Sequence, residues 1–350
     1  MKSILITGGA GFIGSHTCLA MLEKGYSISV IDSFENSSSK SLKRVLNIYK
    51  KKFQASNKTI SIYKGDLRDK SFIENVFSKI YKVNEKIDGV IHFGGLKSVF
   101  ESIKNPLLYW NNNVLGTINL LEIMDKFNCN NFVFSSSATV YAQTNNSLLT
   151  EESEIGPINP YGNTKLSVEL LLKDIFKSQQ ENIKFASLRY FNPIGAHPSG
   201  LLGETPIGTP NNIFPIIINT AMGYQKELKI YGNDWPTKDG TCIRDYIHVM
   251  DLAEAHIKVL DYLMESKPTF FKLNVGTGLG TSVLELVKIF ERVNNIKVSY
   301  VFESRRIGDA PYVVADNTKL IEKFNIPIRR NLEDMCRDGW RWKKLNPRGF

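Results

Sequence analysis

Three consecutive serines, Ser135, Ser136 and Ser137, precede a tyrosine and a lysine four residues apart, Tyr161 and Lys165. At i and i+4 of a helix, Tyr161 and Lys165 share one face. A phenol ionises near pH 10, and making it a base at neutrality takes about 4 kcal/mol of preferential stabilisation of the phenolate. A neighbouring ammonium in a water-poor site works in that direction, and a serine hydroxyl orients or relays the proton. The chemistry this suits is removal of a proton from an alcohol. Alone, the Tyr-x-x-x-Lys spacing arises often by chance, and its meaning depends on what surrounds it.

Earlier in the chain, Gly8, Gly11 and Gly14 stand three apart in Thr7-Gly8-Gly9-Ala10-Gly11-Phe12-Ile13-Gly14, between a strand pattern and a helix pattern. Glycines there permit a tight turn and let backbone N–H groups approach a pyrophosphate at the helix N-terminus. Asp32 closes the second strand pattern, where a carboxylate accepts hydrogen bonds from ribose hydroxyls and repels a 2′-phosphate, so NAD is expected over NADP. The bland alternative for Asp32 is a turn cap. Asp66 and Leu67 end the third strand, where the carboxylate reaches an adenine amino group. The run His92-Phe93-Gly94-Gly95-Leu96-Lys97 ends the fourth, and ligands of open α/β sheets bind beyond these carboxyl ends. The positive ring of NAD would add to the ammonium in favouring the phenolate.

These residues must be carried by alternating elements. Strand patterns run over 3–7, 27–32, 59–64, 88–93, 131–136 and 184–189, with helix patterns over 13–23, 70–82, 114–127 and 161–179 between them. Alternation of this kind predicts an α/β fold, a Rossmann-type doubly wound parallel sheet. After about Asn192 the prolines 193, 198, 206, 210 and 215 mark a loop-rich region, followed by helix patterns over 249–264, 282–294 and 332–343. The expected division is 1–191 as the dinucleotide-binding domain and 192–350 as a smaller substrate-binding domain, with segments around 240–260 returning to the first.

Composition excludes several classes. The chain has 350 residues, 42% hydrophobic and 23% charged, the balance of a globular protein. No apolar run approaches a membrane span, and no secretory signal is expected. Cys18, Cys129, Cys242 and Cys336 show no ligand spacing, so reduced thiols, no metal and a cytoplasmic location are expected. The net charge is +9, and seven of the basic residues lie between Lys40 and Lys58 with no acid among them; without that stretch +2 remains. A solvated Lys-rich helix face, rather than a nucleic-acid site, accounts for the run.

Together with LITGGAGFIGSHT (5–17), VIHFGGLKSV (90–99), FSSSATVY (134–141), NPYGNTK (159–165), LRYFNPIGAHPSG (188–200) and RDYIHVMDLA (244–253), these residues resemble the extended short-chain dehydrogenase/reductase family over the whole chain. The matches fall closest to its members that act at C4 of UDP-hexoses. The resemblance implies NAD-dependent interconversion of UDP-galactose and UDP-glucose through a transient 4-keto sugar, in a homodimer built on helices near 107–126 and 161–179. It implies Tyr161 as base on the 4-hydroxyl, Ser137 bonded to the reacting oxygen, and Lys165 holding the nicotinamide ribose. Beside the glycine turn with Phe12 and Ile13, it adds Asn36, Ser37, Phe93, Gly94, Gly95, Lys97, Asn112, Ser135 and Tyr190 to the cofactor set. On the substrate side it implies Lys97, Asn192, Asn212, Lys229, Ile230, Tyr231, Arg244 and Arg306, the two arginines facing the pyrophosphate as forked donors.

One position departs from the family pattern. Three residues before Asp316, members restricted to unacetylated sugars carry tyrosine, and here Val313 stands there. A wider pocket, and acceptance of UDP-GalNAc and UDP-GlcNAc, are expected. The alternatives are a UDP-glucuronate 4-epimerase, a 4,6-dehydratase, or a non-catalytic NAD-binding relative. Against a dehydratase, its Asp-Glu pair is replaced by Ala138 and Thr139, which leaves elimination without an acid and base. Against a silent relative, Ser137, Tyr161 and Lys165 are all retained.

Overall fold

A computed structural model describes residues 1–54, 59–84, 86–143, 147–179, 181–208, 210–306 and 308–350. Lys58 of the basic run and Ile307 lie outside the described residues. In chain order the elements are β1 (Ser3–Thr7), α1 (Phe12–Glu23), β2 (Ser27–Asp32), α2 (Ser39–Lys52), β3 (Ile60–Lys64), α3 (Lys70–Asn84), β4 (Gly89–His92), α4 (Val99–Lys104), α5 (Pro106–Trp110), a π-helical turn (Asn111–Leu115), α6 (Gly116–Lys126), β5 (Asn131–Ser137), α7 (Pro160–Ser178) and β6 (Lys184–Tyr190). Then follow β7 (Asn192–Ile194), α8 (Ile213–Ala221), β8 (Leu228–Tyr231), β9 (Ile243–His248), α9 (Val249–Glu265), β10 (Thr269–Val275), β11 (Gly280–Ser282), α10 (Val283–Asn294), β12 (Tyr300–Glu303), β13 (Tyr312–Val313), a second π-helical turn (Lys319–Lys323) and α11 (Leu332–Leu345).

The chain divides into two compact units, the first comprising 1–140, 157–189 and 253–273, the second 141–156, 190–252 and 274–350. The junction at Arg189–Tyr190 lies two residues before the cut expected from sequence. Residues 141–156 group with the second unit, and 253–273 with the first.

A seven-stranded parallel sheet organises the first unit, in the order β10-β6-β5-β4-β1-β2-β3. The chain winds outward one way from β1 through β2 and β3, and the other way from β4 through β5 and β6. The switch therefore falls between β1 and β4, whose carboxyl ends lie side by side. All five residues of β1 are buried, as a strand covered on both faces requires. Leu5, Val90, Phe132 and Phe134 pack with Ile73, Phe77 and Ile80 of α3, Leu120 and Met124 of α6, and Val168 and Leu172 of α7. Helix α2 buries Leu42, Val45, Ile48 and Tyr49. Its Lys43, Lys50, Lys51 and Lys52 are exposed, the polar face of an amphipathic helix.

In the second unit β9 pairs with β7, β11 and β13, and β8 pairs with β12. A separate core joins Phe214 and Ile217 of α8, Leu228 and Ile230 of β8, Leu286 and Phe290 of α10, and Met335 of α11.

Candidate active site

The glycine turn sits at the sheet's switch point. Gly8 has φ +67, and a Cβ there would meet Gly94 N at 2.8 Å, so the turn after β1 and the turn after β4 touch through backbone alone. A Cβ on Gly14 would stand 2.3 Å from Gly8 O, which closes the helix against its own turn. Around Gly11, leaving out its chain neighbours, only Gly8 O among the described residues lies within 4 Å of such a Cβ, at 3.3 Å. The protein's own packing asks little of Gly11, whereas close approach of a ligand backbone-first does. Gly11 is the N-cap of α1 and offers no capping side chain, and no acid stands in the first turn, so the first N–H groups, including those of Phe12 and Ile13, remain for an anion. These features fit the pyrophosphate of a dinucleotide.

Asp32 is buried, and its Oδ2 accepts from Ala10 N at 2.9 Å while Oδ1 accepts from Phe34 N and Ser37 Oγ at 2.9 and 2.7 Å. It thus caps the turn through Ser37, the bland role, and also fixes the glycine loop. Oδ2 carries one of these bonds and keeps acceptor capacity. Asn36 is exposed on the same turn. Asp66 is bonded at both oxygens by Arg68, which holds its carboxyl below the usual range. Leu67 packs beside Gly94, its Cδ1 2.7 Å from where a Cβ would stand.

Beyond β4, the Phe93 ring lies 4.7 Å from that of His256, and Lys97 is exposed. Asn112, expected at the cofactor, gives its amide to Leu108 O at 3.1 Å. Its neighbour Asn113 is the buried one: it donates to Leu96 O and Thr164 Oγ1 and accepts from Leu96 N, at 3.0, 3.1 and 2.8 Å. That clamp holds the Gly94–Lys97 turn and escaped sequence reasoning. A run of three asparagines within a helix signals one buried amide, but the π-helical turn at 111–115 shifts the helical phase and hides which. Behind it runs a second chain, Thr7 Oγ1 to His92 Nδ1 at 2.6 Å and His92 Nε2 to Thr117 Oγ1 at 2.8 Å, so both ring nitrogens of this sheet histidine are satisfied. Burial pushes His92 down to about 3, so it stays neutral and serves the turn, not the chemistry.

Tyr161 and Lys165 open α7. Asn159 caps that helix through Gly162 N at 2.9 Å, with Pro160 in the first turn. A Cβ on Gly162 would meet Thr139 O at 2.6 Å, so this glycine lets the helix start close on the turn after β5. The Ser137 hydroxyl stands beside the Tyr161 phenol and favours its ionised form, while it accepts from Thr139 N and Thr139 Oγ1 at 3.2 and 3.0 Å. Lys165 is buried, donates to Ser135 O at 2.7 Å, and its Nζ lies 5.7 Å from the Tyr161 ring centre and 4.9 Å from that of Phe134. Burial pushes the Tyr161 phenol up to about 12, with the Ser137 hydroxyl opposing it, and pushes Lys165 down to about 8. Lost hydration opposes ionisation of the phenol, and the expected opposing pull is that of the ammonium together with the positive ring of NAD.

The second unit carries the residues expected to meet substrate. Asn192 Nδ2 donates to Asp245 O at 3.1 Å, and Tyr190 is buried at the end of β6. Arg244 on β9 donates through Nη1 to the carbonyls of Ile243 and Ala310, at 2.9 and 2.8 Å, and approaches Asp309 at 3.5 Å. The neighbouring Asp245 is engaged by Thr277, Gly278 and Ala315, and Asp251 by Arg330. Val313 is in register with Arg244. Lys229, Ile230 and Tyr231 form β8; Lys229 pairs with Glu303 at 2.8 Å, Ile230 is buried, and the Arg306 guanidinium lies 4.2 Å over the Tyr231 ring. Asn212 is the exposed N-cap of α8 and makes no side-chain cap. Among the described residues no cluster of His, Cys, Asp or Glu could hold a metal.

A glycine turn at the switch point of a doubly wound sheet, with a serine, a tyrosine and a lysine on adjoining elements, defines a dinucleotide-dependent enzyme. The family model described as GDP-mannose 4,6 dehydratase matches residues 5–339. UDP-glucose 4-epimerase 2 of Arabidopsis thaliana is 49% identical over 349 residues, covering 100% of this chain and 97% of that protein. The structure of UDP-glucose 4-epimerase from Stenotrophomonas maltophila with bound NAD and formylated UDP-arabinopyranose superposes with a TM-score of 0.93 at 39% identity, over 99% of both chains. That from Bifidobacterium longum in complex with NAD+ and UDP gives 0.92 at 42%, over 100% of both. The chain belongs to the UDP-glucose 4-epimerase family, within the wider family that the dehydratase model describes.

Proposed function

We propose that this chain is an NAD-dependent UDP-glucose 4-epimerase that interconverts UDP-galactose and UDP-glucose, with Tyr161 as the proton-transferring group. The observation that carries this is the Lys165 ammonium anchored on Ser135 O, one helical turn from Tyr161 on α7, with the Ser137 hydroxyl beside the phenol. The residues fit the cofactor: Gly8, Gly11 and Gly14 with the start of α1 would hold the pyrophosphate, Asp32 the adenosine ribose, and Lys165 the nicotinamide ribose. Bound NAD supplies what no side chain has, a reversible hydride acceptor for sugar C4 whose oxidised ring is positive. Tyr161 takes the proton from the 4-hydroxyl oxygen and returns it after the keto sugar has turned its other face. Ser137 holds that oxygen in line. Arg244 and Arg306 would meet the UDP diphosphate, and Asn192, Asn212 and the β8 backbone the rest of the nucleotide. Ala138 and Thr139 supply no carboxyl for elimination, which favours epimerisation over 4,6-dehydration.

With Val313 in place of tyrosine, the reading extends to UDP-GalNAc and UDP-GlcNAc. We also place the working enzyme in the cytoplasm as a homodimer. Four free, buried cysteines support the first. The second is supported by exposed apolar side chains on the helices expected to pair, Leu107 at 77%, Leu170 at 52%, Leu115 at 43% and Trp110 at 40%. No helix among the described residues is long and apolar enough to cross a membrane. Replacing Tyr161 by Phe tests the activity: turnover of UDP-galactose should fall about 100-fold or more while NAD remains bound. Undiminished turnover would remove Tyr161 from its role.

A further inference from the structure

Three neighbouring residues of β5 are tied to three successive turns of α7. Ser137 stands beside Tyr161, Ser135 O accepts from Lys165 at 2.7 Å, and Ser136 Oγ donates to Glu169 at 2.5 Å. Tyr161, Lys165 and Glu169 stand at i, i+4 and i+8, on one face of the helix. The first two ties belong to the site already described; the third has no assigned role. Glu169 is gripped from the other side by Arg189 of β6, whose Nε and Nη2 donate to its two carboxylate oxygens at 2.9 and 2.6 Å. Ser136, Glu169 and Arg189 are exposed by only 1, 3 and 1%.

A buried ion pair is an expensive way to hold a helix on a sheet, since well-packed apolar residues of similar volume serve stability as well or better. What apolar packing does not give is direction. A planar guanidinium bonded through two nitrogens, with a serine hydroxyl on one of the same oxygens, fixes where the carboxylate sits along and around the helix axis. That sets the height and rotation of α7 over the ends of β5 and β6, one and two turns below Lys165 and Tyr161. Proton transfer between positioned groups is steeply sensitive to displacements of about 1 Å.

We propose that the Ser136–Glu169–Arg189 cluster is a positioning device for the epimerisation, holding α7 in the register in which Tyr161 meets Ser137 and Lys165 meets Ser135. It rests on the catalytic reading given above. Glu169 acts through the helix and touches neither substrate nor cofactor.

The test compares the parent chain with Ser136→Ala, Ser136→Thr and Glu169→Gln, reading kcat and KM for UDP-galactose, NAD released per chain on denaturation, and melting temperature. The expected result is a loss in kcat of about tenfold or more for Ser136→Ala and Glu169→Gln, with KM within about twofold and NAD content unchanged. Ser136→Thr, which keeps the hydroxyl, should recover most of the kcat. Because Ser136→Ala leaves the ion pair intact, it tests the idea even if Glu169→Gln fails to fold. An unchanged kcat in folded, NAD-loaded Ser136→Ala overturns the proposal, as does a loss of turnover that only tracks loss of NAD. An inactive parent chain would instead overturn the catalytic reading, and this proposal with it.

Discussion

Burial raises the Tyr161 phenol and lowers the Lys165 ammonium, so the charge that makes Tyr161 a base must come from the ammonium and the positive ring of NAD acting together. Residue types and spacing named the acid–base group, but spacing carries no information on desolvation, and the sign of the net shift could be read only from the packed site. Val313 poses the opposite problem, a position whose meaning depends on a one-residue alignment. In β13 Tyr312 pairs with Ile243 and Val313 with Arg244 of β9, and neighbours on a strand point to opposite faces. Tyr312 lies along Gly280, its ring 3.5 Å from where a Cβ would stand, so it cannot take the place of Val313 without a register slip. Val313→Tyr should therefore lower UDP-GalNAc turnover relative to UDP-galactose by about tenfold or more, the scale of a clash in a fitted pocket. An unchanged ratio of the two rates would remove Val313 from specificity.

Among the elements, the strand ends do the positioning. His92 closes β4 between Thr7 and Thr117 and binds no proton above about pH 3 in the folded chain, against an ordinary value of 6.5. An unfolded chain takes up that proton as pH falls through 6.5, and the folded one does not. Stability should thus fall on acidification between those limits, by up to about 1.4 kcal/mol per pH unit from this group. Denaturant titrations at several pH values measure the slope, and His92→Gln should flatten it. The alternation that predicted β1 through β6 was legible because buried parallel strands are short β-branched runs between amphipathic helices. Three features were not. Strand β10 joins the sheet beside β6 after a long excursion, with no local signal of its destination. The helical stretch 99–115 is broken at Asn105 and again by its π-helical turn, so periodicity does not say that Asn113 is the asparagine buried there. The Ser136–Glu169–Arg189 cluster joins residues 53 positions apart, all of types usually found at surfaces.

For the molecule as a whole, most of the excess positive charge belongs to the solvated face of α2 and its flank, and leaves the site's chemistry to a few placed groups. Apolar side chains exposed along α5 to α7 are the feature a monomer would not favour. If the proposed homodimer forms through them, light scattering after size exclusion should give a dimeric mass for the parent chain and a monomeric one for Leu107→Glu with Leu170→Glu; a monomeric parent would contradict the homodimer, and a variant dimer of undiminished stability would place the interface elsewhere. The central claim is epimerisation with a retained cofactor, and its most direct measurement is proton NMR of the anomeric signals of UDP-galactose incubated with purified protein and no added NAD. Growth of the UDP-glucose signal is the predicted result. A spectrum that stays flat with and without added NAD would contradict the account.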